Sequence, residues 1–123
     1  TKPQIFVDKM SQNFKDLIGL QLPQVKTEFA ENIYWVYGLL LVESVNFNAK
    51  VAMKKLNQKG IGCRPFFYPM HQQPFFKEKL LFTSEKLHVS ELLYRRGFYI
   101  PSGLGLKEGE IYQVVEAVRE VFK

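Results

Sequence analysis

Residues 33–42 read IYWVYGLLLV, the longest apolar run in the chain. The run has ten residues, about half of the roughly twenty that a helix needs to cross a bilayer. Its β-branched and aromatic side chains favour a strand. Read with a period of two, it puts Ile33, Trp35, Tyr37, Leu39 and Leu41 on one face and Tyr34, Val36, Leu40 and Val42 on the other. Both faces are apolar, so both are expected to be covered by other elements.

The flanking sequence supplies those elements. Upstream, residues 3–18 carry Phe6, Met10, Phe14 and Leu17 or Ile18 at helical spacing, with Pro3 in the first turn and Gly19 near the end. LQLP follows as a short extended piece. Downstream, Asn48 suits an N-cap for a helix over 49–59 that turns Val51, Ala52, Met53 and Leu56 inward and ends at Gly60. A short strand over 61–67 comes next, and Pro65, Pro69 and Pro74 then preclude a long regular element. Residues 86–96 form a second helix stopped by Gly97, FYIP a last strand, and 108–122 a final helix with Ile111, Val114, Val115, Val118 and Val121 or Phe122 on one stripe. Glu108 and Glu110 sit favourably at the positive end of that helix's dipole. The expected fold class is α+β, a small antiparallel or mixed sheet covered by helices.

At 123 residues the chain has room for one domain that buries roughly 65–70% of its unfolded surface. Hydrophobic residues at 46% and charged residues at 24% are ordinary globular values and exclude a disordered chain. The single Cys63 forms no internal disulfide, which favours a reducing, cytoplasmic compartment, and with only His71 and His88 beside it no cysteine-rich zinc site is expected. A net charge of +5 permits an anionic partner without choosing among nucleic acid, acidic protein and phosphorylated metabolite. The chain opens on TKPQ and enters a patterned helix at once, as a piece of a longer polypeptide or a trimmed product would.

The residues that could carry chemistry cluster in GIGCRPFFYPMHQQPFF, residues 60–76. Arg64 stands before a proline and two phenylalanines, and its guanidinium suits bidentate recognition of phosphate or carboxylate; a solvated or ring-stacked arginine is the plainer alternative. His71 could donate a hydrogen bond, relay a proton or close the local turn, although no cysteine, serine or acid lies near it in sequence to make a nucleophilic pair. Tyr68 with Phe66, Phe67, Phe75 and Phe76 makes a stacking platform or simply core. PSGLGL, around Ser102, Gly103 and Gly105, lacks the spacing of the phosphate-binding loops, and a turn that needs glycine at positive φ accounts for it equally well. RGFYI, from Arg96 to Ile100, matches the first three positions of an RNA-recognition pattern and then departs from it at Tyr99 and Ile100.

Taken together, NIYWVYGLLL, LNQKGIGCRPFFYPMHQQPFF and LYRRGFYIPSGLGLKEGEIYQVVEAVREVF, in this order, resemble the carboxy-terminal domain of the DegT/DnrJ/EryC1/StrS sugar aminotransferases, especially the perosamine synthetase branch. The resemblance runs from the first helix to the last residue. It implies the small domain of a fold type I, pyridoxal-phosphate-dependent enzyme. Such an enzyme works as a homodimer and moves an amino group from glutamate to a keto carbon of a nucleotide-linked sugar, with neither nucleic acid nor membrane as partner. It implies further that the Schiff-base lysine, the ring-nitrogen acid and the phosphate turn lie in an amino-terminal domain outside this sequence, so this segment alone binds no cofactor and does not transaminate.

By motif position, the resemblance makes Arg64, Tyr68 and His71 polar contacts to the substrate, with Phe66, Phe67 and Met70 packing around them. Trp35 and Tyr37 are weaker candidates, because buried rings in a strand usually belong to a core. Two positions depart from the family's pattern: Cys63 stands where threonine or a small residue is frequent, and Lys107 stands where a Ser or Thr N-cap is usual, which forfeits a capping box with Glu110. The competing classes are a self-contained basic module that binds RNA or an acidic partner, and a dimerisation or regulatory domain.

Overall fold

Tyr34 sets where the central strand begins. In the computed structural model, which describes residues 2–79, 86–103 and 105–123, this residue has a left-handed backbone with φ of 53°. Its amide donates to Asn32 Oδ1 at 2.7 Å. The chain therefore turns at residue 34, and only Tyr37–Leu41 pairs as a strand. The strand expected over 33–42 is shortened at its start, and Ile33 and Trp35 emerge 84% and 73% exposed instead of buried.

The elements follow as α1 (Lys2–Phe14), β1 (Leu20–Gln21), β2 (Tyr37–Leu41), α2 (Ala49–Asn57), β3 (Arg64–Pro65), a single 3-10 turn (Met70–Gln72), α3 (Pro74–Glu78), α4 (His88–Arg96), β4 (Gly97–Ile100) and α5 (Glu108–Phe122). The four strands form one wholly antiparallel sheet in the order β1-β2-β4-β3. This is an α+β fold. The strand expected over 61–67 shrinks to two residues because Pro65 has no amide to extend the ladder. Pro74 instead opens α3, where its missing donor does no harm.

Both ends of α2 and the start of α5 have local causes. Asn48 Oδ1 accepts the Val51 amide at 3.0 Å and caps α2. At the other end Gly60 adopts φ of 84° while the Ile61 amide returns to the Leu56 carbonyl at 3.0 Å, so the expected terminator acts one turn after α2 ends. α1 stops at Phe14, short of residue 18, yet the next turn still buries Leu17 and leaves Ile18 in solvent. Val51, expected inward, is exposed. At α5, the Glu110 carboxylate accepts the Lys107 amide at 2.7 Å. Half of the capping box thus survives the lysine, and only the half that needs a side-chain acceptor at residue 107 is lost.

One face of the sheet holds the core. Tyr37, Leu39, Phe98 and Ile100 are at most 1% exposed, and they join Met10 and Phe14 of α1, Leu56 of α2 and Val118 of α5 in one cluster. Full burial of each such side chain contributes roughly 1.5–3 kcal/mol. Phe6 and Phe14 meet the Tyr37 ring edge-on, and its hydroxyl pairs with Ser11 Oγ at 2.9 Å.

Arg96, the last residue of α4, is buried. Its guanidinium donates to the carbonyls of Leu41, Val42, Val45 and Phe47, pinning the β2–α2 connection to the α4–β4 junction. A buried cation is tolerated here because several backbone oxygens replace water around it.

Candidate functional site

The opposite face of the sheet carries Gly38, Leu40, Gly97 and Tyr99, which the register places on one side. Arg64 pairs with Tyr99, so it shares this side, and Phe66, two residues on, returns to it. The Phe66 ring lies over the two glycines: a Cβ at residue 38 would come within 2.9 Å of it and one at residue 97 within 2.7 Å. Tyr99 stacks on the same ring with centroids 6.4 Å apart. No described helix closes this side completely. It opens as an apolar cleft of about 420 Å³ lined by Trp35, Phe66, Phe67, Tyr68, Met70 and Tyr99, among others. A second hollow of about 580 Å³ shares Trp35, Val36, Phe66 and Leu93 with it and runs towards the segment from Gln21 to Ile33.

Most of the residues expected from sequence meet here, in unequal roles. Arg64 is exposed at the edge strand and makes no ion pair among the described residues. Tyr68 is 43% exposed and rests edge-on against Tyr94 of α4, centroids 5.1 Å apart. Met70 and Phe67 are exposed rims of the cleft, while Phe66 is its half-buried floor. His71 is buried, and its Nε2 lies 2.9 Å from Glu91 Oε1 on α4. The Gln72 amide donates to the same oxygen at 3.0 Å. The imidazole beside it holds the Glu91 carboxyl below its ordinary value of 4.5, with His88 and Gln72 adding to the effect.

Sequence spacing missed Glu91 because the partnership spans twenty positions along the chain. The glycines under Phe66 were equally hidden. Trp35, expected as core, lines both hollows, whereas Tyr37 is core. Burial pushes the Cys63 thiol up to about 11, so it is no ready nucleophile. Gly103 does not take the positive φ suggested for PSGLGL. Phe98, which a base-stacking surface of the RNA-recognition type needs exposed, is fully buried against α5.

Among the described residues no lysine lines either hollow, and the Lys9 and Lys59 ammonium groups are engaged by Glu108 and Glu120 at the surface. Among the described residues no group of three or more metal-ligating side chains occurs, and no helix is long and apolar enough to cross a membrane.

The fold superposes on part of the chain of solved sugar aminotransferases. Aminotransferase PseC of Helicobacter pylori, involved in the biosynthesis of pseudoaminic acid, superposes with a TM-score of 0.84 over 98% of this chain and 32% of its own, at 17% identity. Escherichia coli GDP-4-keto-6-deoxy-D-mannose-3-dehydratase, solved with bound hydrated PLP, superposes with a TM-score of 0.68 over 98% of this chain and 30% of its own, at 20% identity. In sequence, GDP-perosamine synthase of Caulobacter vibrioides is 29% identical over 90 residues, 73% of this chain and 24% of the relative. The model of the DegT/DnrJ/EryC1/StrS aminotransferase family matches residues 4–119, and the chain belongs to that family. It spans about a quarter of the length of the perosamine synthases it matches.

Proposed function

We propose that the chain is the carboxy-terminal small domain of a pyridoxal-phosphate-dependent enzyme that transfers an amino group from glutamate to a nucleotide-linked keto sugar. The observation that carries this reading is the family match across residues 4–119, joined to the small share of each relative that the chain covers. The aromatic cleft, which no lysine lines among the described residues, then serves the substrate and does not carry the Schiff base. In this reading the lysine, the ring-nitrogen partner and the phosphate cradle belong to the remaining polypeptide, and the cofactor, when bound there, supplies the electron sink for amino transfer.

This domain contributes a wall. Arg64, exposed on the edge strand and paired with Tyr99, offers two parallel donors to a phosphate or carboxylate. Tyr68 and Met70 flank the cleft, Phe66 floors it, and His71 sits behind the rim. The apolar lining excludes water around the few polar groups, as ligand pockets do. The complete enzyme is proposed to act as a homodimer in the cytoplasm.

The test is to express the polypeptide containing these residues together with the preceding domain, supply glutamate and a GDP-linked 4-keto sugar, and follow amino-sugar formation by mass. Product from the longer polypeptide and none from residues 1–123 alone is the expected result. Loss of water from the sugar in place of amino transfer would assign the enzyme to the dehydratase chemistry that the same fold also carries. Amino transfer by residues 1–123 alone would overturn the division of labour.

A further inference from the structure

Glu91 and His71 form a pair that the proposed wall does not yet use. A carboxylate can only accept, and Glu91 is held in its ionised form below the ordinary carboxyl value. The hydrogen between Glu91 Oε1 and His71 Nε2, 2.9 Å apart, therefore sits on Nε2. In the neutral ring this leaves Nδ1 without a proton. Nδ1 has no hydrogen-bond partner among the described residues, yet no buried side-chain nitrogen or oxygen there lacks one. Nδ1 is thus not fully sealed from solvent, although the His71 side chain as a whole is only 5% exposed. The 3-10 turn that bears it follows directly on Tyr68 and Pro69, and Met70 belongs to that turn; all three line the aromatic cleft.

We propose that Glu91 is a positioning residue: by accepting from His71 Nε2 and from Gln72 on one oxygen, it fixes the imidazole as the Nε2–H tautomer and presents Nδ1 as a hydrogen-bond acceptor for a donor on the bound ligand. A sugar hydroxyl is the chemistry that fits, because it can donate to Nδ1, whereas a phosphate or carboxylate offers only acceptors. The assignment of the ligand rests on the function proposed above; the tautomer and its cause do not. Carboxylate–histidine pairs use the same logic elsewhere, the outer carboxylate setting which ring nitrogen is free to act.

Two measurements separate the parts. In residues 1–123, long-range ¹⁵N–¹H correlation at alkaline pH, where imidazoles are neutral, is expected to show His71 as a single Nε2–H tautomer with an unprotonated Nδ1. Glu91→Ala should turn it into a mixture, and Glu91→Gln, which keeps one acceptor oxygen, should restore it. An Nδ1–H form in the wild type overturns the proposal even if a variant fails to fold. An unchanged single tautomer in Glu91→Ala removes Glu91 as its cause.

In the longer enzyme, His71→Gln keeps an amide donor for Glu91 and deletes Nδ1. KM for the nucleotide sugar is expected to rise about tenfold with kcat little changed, the scale of one ligand hydrogen bond. An unchanged KM strikes Nδ1 from the substrate contacts. If the wild-type longer polypeptide performs no amino transfer at all, the proposed function fails while the tautomer experiment still decides the role of Glu91.

Discussion

The two faces of the sheet draw on the same class of residue and meet different fates. On one, Tyr37, Leu39, Phe98 and Ile100 vanish under helices α1, α2 and α5. On the other, two glycines admit the ring of Phe66, and Trp35, Phe67 and Met70 stay exposed around an open cleft. A run apolar on both faces signals that each side meets something. It does not signal that the chain itself supplies both covers. The covered side makes the fold stable, and the open side leaves an aromatic cleft.

If that division holds, substitutions should sort by face. Phe98→Ala, on the covered side, is expected to lose about 3–5 kcal/mol in chemical denaturation; a loss below about 1 kcal/mol would mean the covered side is not the stabilising one. Arg96→Met removes the donors to the carbonyls of Leu41, Val42, Val45 and Phe47 and should lose about 3 kcal/mol, since a buried acceptor left without a partner costs roughly 1–3 kcal/mol and three of the four bonds are only part-buried, where water can replace the lost donor.

On the open side, Gly97→Ala should lose about 2 kcal/mol, because its Cβ would meet the Leu93 carbonyl at 2.5 Å as well as the Phe66 ring. Gly38→Ala, which meets only the end of that ring, should lose about 1 kcal/mol or less. Reversal of their order would show that Phe66 is not the movable neighbour.

The Glu91 contact should appear as pH dependence. Its carboxyl titrates below the ordinary value when folded, so its stabilising effect is present above the unfolded value and is lost as pH falls through the folded one. Glu91→Gln should therefore flatten the acid limb of a stability curve, and an unaltered limb would count against the pairing with His71. The smallest effect belongs to Trp35→Ser, within about 0.5 kcal/mol of wild type. Trp35 is the only tryptophan, so acrylamide quenching reads the open side directly. It should be strong in residues 1–123 and, if the proposed longer polypeptide covers this side, weak in that polypeptide; equal quenching in both would show the cleft still open there.

Local patterns made the fold largely legible. The stripes of α1 and α5, the Asn48 cap and the Gly60 terminator are written within a few residues of where they act. The strand is shorter than 33–42 because the Asn32 side chain turns Tyr34 into the left-handed region, which period-two counting does not see. The site was legible as a segment and not as a geometry. Spacing could mark 64–71 as unusual, but pairing His71 with Glu91, and seating Phe66 on residues 38 and 97, needs contacts between distant parts of the chain.

Arg96 also has a consequence for dynamics. Residues 42–47 contain neither helix nor strand, yet their carbonyls are bound by a side chain 49–54 positions further along. Such a loop cannot open by itself. Its protected amides should exchange hydrogen with solvent in step with β2 and β4, so an irregular connection becomes part of the domain's slowest cooperative unit.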